Sequence, residues 1–305
     1  DVVGIGNAIV DVIARADEAL LERLQLLRGH MRLIEDDEVR ALYAAMGPAI
    51  EVSGGSVANT MVGIASFGGR AGLIGKIADD EFGRVFRHDV HAAGVGFETP
   101  SFSGGLPTAR SLILVTPDGQ RTMNTYLGIA RELGEGEVDP GVIEGGRIVY
   151  LEGYLFDRPA AKRAFVKAAN IAHAAGRKVA LTLSDGFCVD RHRPEFLALV
   201  RDKVDIVFAN IEELVALYQA PLDEALQRIR ADVPLAAITR SAAGSLIIRG
   251  EETVEIEAEP VDAIVDTTGA GDLYAAGFLY GYTQGHDLHR CGRIGALAAA
   301  EVIQH

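Results

Sequence analysis

From residue 147 onward, short apolar runs that resemble strands alternate with longer segments that have helical periodicity. Such alternation is typical of βαβ units, in which parallel strands are joined by helices that cover the sheet. The sequence therefore predicts an α/β fold with a mostly parallel central sheet flanked by helices. The predicted strands are 2–6, 148–151, 179–183, 204–208, 235–239, 245–248 and 253–256, and the predicted helices after residue 147 include 160–174, 196–200 and 211–217.

The first 130 residues carry a different pattern. Two helical segments are predicted at Asp17–Leu27 and Asp36–Met46. Further along, Pro117-Asp118-Gly119 lies between two runs that resemble strands, and Asp-Gly is a strong signal for a β-hairpin. We expect a single domain over residues 1–305, with a small lid subdomain formed by about 13–48 and 106–130.

The composition limits the partners and the compartment. A formal net charge of −14 argues against binding a nucleic-acid backbone over a broad surface, although it allows a single anionic ligand in a local pocket. Cys188 and Cys291 form no disulfide framework or metal-ligand cluster in the sequence, which indicates a reducing compartment. No apolar stretch is long enough for a membrane span, and no signal-peptide pattern is present. We expect a cytoplasmic monomer or homodimer that binds neither nucleic acid nor membrane.

The segment Asp266-Thr267-Thr268-Gly269-Ala270-Gly271-Asp272 stands directly before an apolar helical run. The first turn of a helix has backbone N–H groups without intrahelical partners, and small residues leave these groups open to an anion. An aspartate beside such a cradle can take a proton from a hydroxyl while the cradle holds a phosphoryl group. The structural alternative is an aspartate that only caps a helix. Together with four further motifs, the segment indicates phosphoryl transfer.

Two of these motifs lie in the N-terminal part of the chain. Asn7 and Asp11 follow the first predicted strand, and a carboxylate there can accept hydrogen bonds from two neighbouring sugar hydroxyls. Gly54-Gly55 allows a ligand to approach the backbone, and Asn59, one turn into the next helix, can donate and accept hydrogen bonds. The structural alternatives are a capped turn at Asp11 and a tightly packed glycine turn at Gly54.

The other two motifs follow predicted strands of the C-terminal half. Asn210 with Glu213 has the spacing of an ordinary capping box; alternatively, Glu213 orders the water shell of Mg²⁺ while Asn210 contacts phosphate. The segment from Thr239 to Gly244 joins two strands, either as a simple hairpin or as a loop that touches phosphate. Ligands of open α/β sheets bind beyond the carboxyl ends of the strands, so we expect all these motifs to meet in one cleft.

With these motifs in this order, essentially the whole chain resembles the ribokinase (PfkB) family of carbohydrate and nucleoside kinases. The resemblance rests on Gly54-Gly55-Ser56-Val57-Ala58-Asn59-Thr60 and on residues 266–278. It implies a ribokinase-like fold and transfer of the γ-phosphoryl group of ATP to an alcohol, with Mg²⁺ as cofactor. It also implies Asp272 as the base, the amides of Gly269, Ala270 and Gly271 as the anion hole, Asn210 and Glu213 at the phosphates and Mg²⁺, Thr239 and Gly244 in the ATP site, and Asp266 and Thr268 at a monovalent cation such as K⁺.

The acceptor is indicated by the interval between Asp11 and Gly54. It holds two helical segments and is longer than in ribokinase-like and fructokinase-like members, and in this respect it looks like the adenosine kinases, as does Glu152-Gly153-Tyr154-Leu155-Phe156. Phe156 could stack on a purine or could pack in the core. We expect phosphorylation of the adenosine 5′-hydroxyl, with Asp11 and Asn59 holding the ribose. A kinase for ribose or fructose and a non-catalytic nucleoside sensor are the alternatives.

Overall fold

The computed structural model describes residues 1–304, which contain a nine-stranded sheet and a five-stranded sheet. The strands of the larger sheet are, in spatial order, β14 (Glu252–Ile256), β13 (Ser245–Arg249), β12 (Leu235–Thr239), β11 (Ile206–Asn210), β10 (Lys178–Thr182), β9 (Ile148–Glu152), β1 (Val2–Ile5), β5 (Ala71–Ile74) and β6 (Val95–Gly96). Neighbouring strands pair in parallel except at β12–β13 and β13–β14, which are antiparallel. The predicted mostly parallel central sheet is confirmed.

Helices connect the strands, and most of them cover the larger sheet. Within residues 1–304 they are α1 (Glu18–Arg23), α2 (Asp36–Ala45), α3 (Ser56–Ser66), α4 (Glu81–Ala92), α5 (Pro140–Gly145), α6 (Pro159–Ala174), α7 (Gly186–Lys203), α8 (Ile211–Tyr218), α9 (Leu222–Asp232), α10 (Ala270–Thr283) and α11 (Leu288–Val302). Short 3-10 turns span Gly128–Glu132, Gly153–Asp157 and Ser241–Ala243. The predicted helix 196–200 is the second part of α7, which is kinked at His192 before Pro194. In this described part of the chain, every helix is too short or too polar to cross a membrane.

The core lies on both faces of the larger sheet. Val2 of β1 belongs to the cluster that includes Met61 of α3 and Phe278 of α10. Its neighbour Val3 belongs to a second cluster, which includes Phe165 of α6. Since alternate residues of a strand point to opposite faces, a strand buried on both faces is apolar throughout. This explains why these strands appear in the sequence as continuous apolar runs.

The five-stranded sheet, here called the small sheet, has the order β3 (Met31–Leu33), β8 (Arg121–Tyr126), β7 (Ala109–Val115), β2 (Ile9–Arg15) and β4 (Ala49–Gly54). The predicted hairpin around Asp118-Gly119 is formed by β7 and β8, with Val115 opposite Arg121. The helical prediction for the interval before Gly54 was incomplete. That interval does contain α1 and α2, but it also supplies three strands, because their pairing partners include β7 and β8, far along the sequence.

The two faces of the small sheet differ in their surroundings. Val10 and Val12 of β2 belong to the same buried core cluster as Met61 of α3. The opposite face carries Asp11 and a row of large apolar side chains, which we call the apolar row. Consecutive members of this row are direct cross-strand partners and therefore share a face; they are Ile50, Ile13, Ile113, Met123 and Met31.

Candidate functional site

The site is organised where the first turns of α3 and α10 meet. Gly63 of α3 allows close packing, because a Cβ atom there would lie 2.7 Å from Cβ of Ala276 in α10. This contact brings the Asp272 carboxylate to α3, where it accepts hydrogen bonds from Ser56 Oγ at 2.6 Å and from Asn59 Nδ2 at 3.1 Å. The structure thus brings together Asp272 and Asn59, the two residues that the sequence placed at the acceptor hydroxyl.

The environment of Asp272 suits a group that exchanges a proton near neutral pH. Burial raises the pKa of the Asp272 carboxyl to about 6, although the hydrogen bonds from Ser56 and Asn59 act in the opposite direction. A carboxyl group with this pKa is ionised at pH 7 and still basic enough to accept a proton during a reaction. The site therefore contains a carboxylate suited to general base catalysis.

The segment before Asp272 leaves an open space at the start of α10. Gly269 is the N-cap residue and has φ of +80°, a conformation that favours glycine. A Cβ atom added to Gly269 or Gly271 would meet no other atom within 4 Å. The amide of Ala270, however, donates to the Thr267 carbonyl at 3.2 Å, so one of the three predicted anion-hole amides is engaged in the turn. The remaining first-turn geometry fits an anion that approaches the helix N-terminus.

Asp11 lies in the middle of β2 rather than in a capped turn. Its carboxylate fills the space beside Gly54 on β4, where an added Cβ atom would stand 2.5 Å from Asp11 Oδ2. Burial raises the pKa of Asp11 to about 6, against the effect of the positive charge of Arg121. Gly55 has φ of +102°, and a side chain there would collide with the Asn7 carbonyl. The paired glycines therefore make room for Asp11 and Asn7.

Asn7 is held by Glu152, a residue that the sequence analysis did not include in the site. The Glu152 carboxylate is 1% exposed and accepts hydrogen bonds from Asn7 Nδ2 at 2.5 Å and from the Val57 amide of α3 at 3.1 Å. Burial raises the pKa of Glu152 to about 7. Asn7 Oδ1 is buried and, within residues 1–304, has no hydrogen-bond partner, so it can accept one from a ligand. One feature of the sequence could have identified Glu152 as a site residue: it is a single carboxylate directly after the apolar run Ile148–Leu151.

Phe156 does not lie where a purine could stack on it. Its ring is 2% exposed and stacks on Phe196 with 4.1 Å between the centroids and 24° between the planes. The interpretation of Phe156 as a base-stacking residue was therefore wrong for this structure, because the 3-10 turn directs its ring into the core. The other aromatic residue of that turn is Tyr154, which is 38% exposed. Partial burial of its hydroxyl raises its pKa, and the negative charges of Asp185, Glu152, Glu213 and Asp272 add to this effect.

Asn210 and Glu213 form a complete capping box at the start of α8. The Asn210 side chain accepts from the Glu213 amide at 2.8 Å, while the Glu213 carboxylate accepts from Asn210 Nδ2 at 2.9 Å and from its amide at 3.0 Å. Burial raises the pKa of Glu213 to about 7, and the nearby charge of Asp185 adds to this effect. Both Glu213 oxygens are engaged, so this side chain fits Mg²⁺ only through water molecules, which is the usual mode for that ion.

Thr239 and Gly244 lie beside this capping box. Thr239 is the direct partner of Asn210 in the parallel pair β11–β12, so the two residues end neighbouring strands. Gly244 has φ of +79°, and a side chain there would overlap the Ile256 carbonyl. Gly244 is thus required by the chain packing itself, whether or not a nucleotide touches it. The structure brings Asn210, Glu213 and Thr239 together at the carboxyl edge of the larger sheet.

Asp266 and Thr268, the predicted cation ligands, are engaged with other protein groups. Asp266 Oδ1 accepts from the Thr268 amide at 3.0 Å and from Thr268 Oγ1 at 2.8 Å. Asp266 Oδ2 forms an ion pair with Arg121 Nε of the small sheet at 2.8 Å. Nothing in the local sequence identified Arg121, because its partner lies 145 positions further along the chain. Within residues 1–304, no group of three or more His, Cys, Asp or Glu side chains is arranged to hold a metal ion directly.

Comparison with a family model, with curated proteins and with solved structures relates this chain to kinases of sugars and nucleosides. The family model for the pfkB family carbohydrate kinases matches residues 50–305. Among curated proteins, the chain is 30% identical over 249 residues to "Probable fructokinase-6, chloroplastic" of Arabidopsis thaliana. That alignment covers 78% of this chain and 64% of the plant protein, which is less than two thirds of its length.

Several solved structures match the whole chain, and two of them share half or more of its residues. The adenosine kinase from Sinorhizobium meliloti is 53% identical with a TM-score of 0.92, and the match covers 100% of this chain and 94% of that one. A probable sugar kinase from Rhizobium etli CFN 42 is 50% identical with a TM-score of 0.93, and the match covers 100% and 93%. The chain therefore belongs to the pfkB family of carbohydrate kinases, phosphotransferases that act on an alcohol group.

Proposed function

We propose that the protein transfers the γ-phosphoryl group of ATP to the 5′-hydroxyl of adenosine, giving AMP. The observation that carries the proposal is the Asp272 carboxylate, hydrogen-bonded to Asn59 beside the open first turn of α10. In the proposal, Asp272 serves as the base, Asn59 binds a sugar hydroxyl and the first turn of α10 holds an anion, all within one small volume. Direct in-line transfer needs these three elements in addition to positioning of the nucleotide.

In the proposed reaction, the residues of the chain position the acceptor and move one proton. Asp11, Asn59 and the free Oδ1 of Asn7 bind hydroxyls of the sugar, and Asp272 accepts the proton of the attacking hydroxyl. The first turn of α10 stabilises negative charge on the moving phosphoryl group. Mg²⁺, when bound with the nucleotide, neutralises phosphate charge, and Glu213 would hold it through water.

A nucleoside is favoured over a free sugar by the apolar row of the small sheet. Ile13 follows Asp11 by two residues on β2, so both side chains lie on the same face, roughly 7 Å apart along the strand. If Asp11 binds the ribose, a base attached to that ribose reaches the apolar row, and burial of the base stabilises the complex. A free ribose or fructose molecule leaves this row without a partner.

The small sheet would then act as a lid over the acceptor. Its apolar row and Asp11 lie on one face, and Arg121, two residues before Met123, connects that face to Asp266. A lid in this position excludes water, which protects the γ-phosphoryl group from hydrolysis. A pfkB sugar kinase is the second candidate, because a probable sugar kinase is among the solved structures that share half of their residues with this chain.

The test is release of ADP from ATP with adenosine, inosine, guanosine, ribose and fructose, each offered separately. We expect the highest kcat/KM with adenosine. Activity with ribose or fructose alone identifies a sugar kinase instead. Saturable binding of adenosine without any ADP release supports a nucleoside sensor and contradicts the proposed reaction.

A variant of the apolar row tests the placement of the base. Ile13→Ala removes three carbon atoms, and we expect it to raise KM for adenosine about tenfold, which corresponds to one or two of them being buried by the base. Leu27→Ala is the matched control, because Leu27 is 68% exposed and lies outside the apolar row. Equal KM values for both variants contradict contact between the base and the row.

A further inference from the structure

The turn before α10 is held by the small sheet through one ion pair. Arg121 of β8 forms an ion pair with Asp266, with 2.8 Å between Nε and Oδ2, and the side chains of the pair are 32% and 17% exposed. Arg121 also influences the other side of the site, because its charge lowers the pKa of Asp11 against the larger effect of burial. The guanidinium is therefore paired with the turn that leads to Asp272, and its charge also acts on the carboxylate proposed to hold the sugar.

The same turn is fixed by two further sets of hydrogen bonds. Asp266 Oδ1 accepts from the amide and hydroxyl of Thr268, and the amide of Ala270 donates to the Thr267 carbonyl. The amides of Val265 and Asp266 both donate to the Ile303 carbonyl beyond α11, at 2.8 Å and 3.3 Å. Asp266 Oδ1 thus accepts two hydrogen bonds, and Oδ2 faces the guanidinium of Arg121. The negative charge of Asp266, which would attract a monovalent cation to this turn, is already balanced by Arg121.

We propose that Arg121 supplies the positive charge that neutralises Asp266 and holds the turn before α10, so that this turn needs no monovalent cation. An arginine suits this role because its guanidinium stays charged at any physiological pH and donates in a fixed geometry. Arg121 is a positioning residue in this scheme, since it acts on Asp272 through the turn. Two experiments test this proposal. The first measures activity and rests on the proposed kinase function, whereas the second measures stability and does not.

The activity experiment compares initial rates of ADP formation in tetramethylammonium chloride and in potassium chloride at equal ionic strength. For the wild-type protein we expect rates that agree within about twofold, because an ion that does not bind has no linked effect. Arg121→Ala should lower kcat about tenfold through misplacement of the turn, and potassium should restore part of the loss. Arg121→Lys, which keeps the charge, should retain more activity than Arg121→Ala.

The matched control is Arg201→Ala. Arg201 Nε donates to Asp232 Oδ2 at 3.0 Å between α7 and α9, so this variant removes an arginine–aspartate pair outside both the turn and the small sheet. It should show the wild-type rate in both salts. A wild-type rate that rises severalfold with potassium overturns the proposal, and so does an Arg121→Ala rate that potassium does not change.

The stability experiment is a double-mutant cycle on the melting temperature with Arg121→Ala, Asp266→Asn and both together. We expect each single change to lower the melting temperature by about 2 °C, and the double change to cost little more than either one, since the residues act as a pair. Potassium should not raise the wild-type melting temperature. Additive losses, or stabilisation of the wild-type protein by potassium, overturn the proposal even if no acceptor is phosphorylated and the kinase function fails.

Discussion

Asp272 accepts a hydrogen bond from Asn59 at 3.1 Å, although 213 positions separate the two residues in the sequence. The contact exists because α3 and α10 pack closely at Gly63, which brings their first turns side by side. A hydroxyl bound by Asn59 therefore lies next to the carboxylate that could deprotonate it. The two helices form one functional unit, and this relationship gives the first prediction.

Replacing Asp272 by asparagine should reduce kcat about 10²–10⁴-fold, the usual range for loss of a general base. The amide has nearly the same shape but cannot accept a proton from the acceptor, so the fold and nucleotide binding should persist. The measurement is steady-state ADP release together with the melting temperature. Asp223→Asn, on the exposed surface of α9, serves as the control. Retained turnover in Asp272→Asn would remove this residue from the proposed mechanism.

The pH dependence should follow the raised pKa values of Asp272 and Asp11, each about 6. Both carboxyl groups act in their ionised forms, so activity should fall as the pH drops through 6. For kcat/KM the loss per pH unit should lie between about tenfold for one essential group and hundredfold for two. Assays repeated after return to pH 7.5 exclude irreversible unfolding. A flat profile between pH 5 and pH 7 contradicts these roles.

Replacing Gly54 by alanine should impair binding of the acceptor. The new methyl group would stand 2.5 Å from the Asp11 carboxylate and displace it, so we expect KM for the acceptor to rise at least about tenfold, with a smaller change in KM for ATP. Gly47→Ala is the matched control, because no atom lies within 4 Å of the added carbon there. Equal KM values for the two variants would show that Asp11 does not contact the acceptor.

Replacing Phe156 by leucine should lower stability without changing acceptor preference. The ring stacks on Phe196 in the core, so its loss should cost about 1–2 kcal/mol of unfolding free energy. Phe187→Leu provides the comparison, since Phe187 is 77% exposed and its replacement should leave stability unchanged. Urea denaturation and KM for adenosine are the two measurements. A raised KM for adenosine with unchanged stability would indicate that Phe156 contacts the acceptor after all.

The sequence was sufficient to predict most strands and helices of the larger sheet, because the patterns that indicate them lie in consecutive residues. Strands such as β9 and β11 are apolar up to their last residue, and the helices between them show helical periodicity, so each element could be identified without its partner. The polar residues Asn210 and Thr239 end neighbouring parallel strands, which is why the sequence could assign them to one edge of the sheet. Their roles toward ATP stay predictions.

The small sheet shows where local signals fail. β2 and β4 pair with each other, and β2 also pairs with β7, about a hundred positions further along the chain. Short strands have weak intrinsic preferences, and the pairing partner determines whether they form. The sequence therefore predicted the helices of this segment but not the strands between them.

The sequence by itself determined the family, the alternating α/β architecture and the segment that ends in Asp272, because each is written in consecutive residues. Only the tertiary structure decided that Phe156 faces the core, that Glu152 holds Asn7 across 145 positions, and that Arg121 neutralises Asp266. The physical reason is that burial and ion pairing depend on which distant side chains meet. The packing of helices against sheets determines which distant side chains come into contact, and no local sequence pattern specifies these contacts.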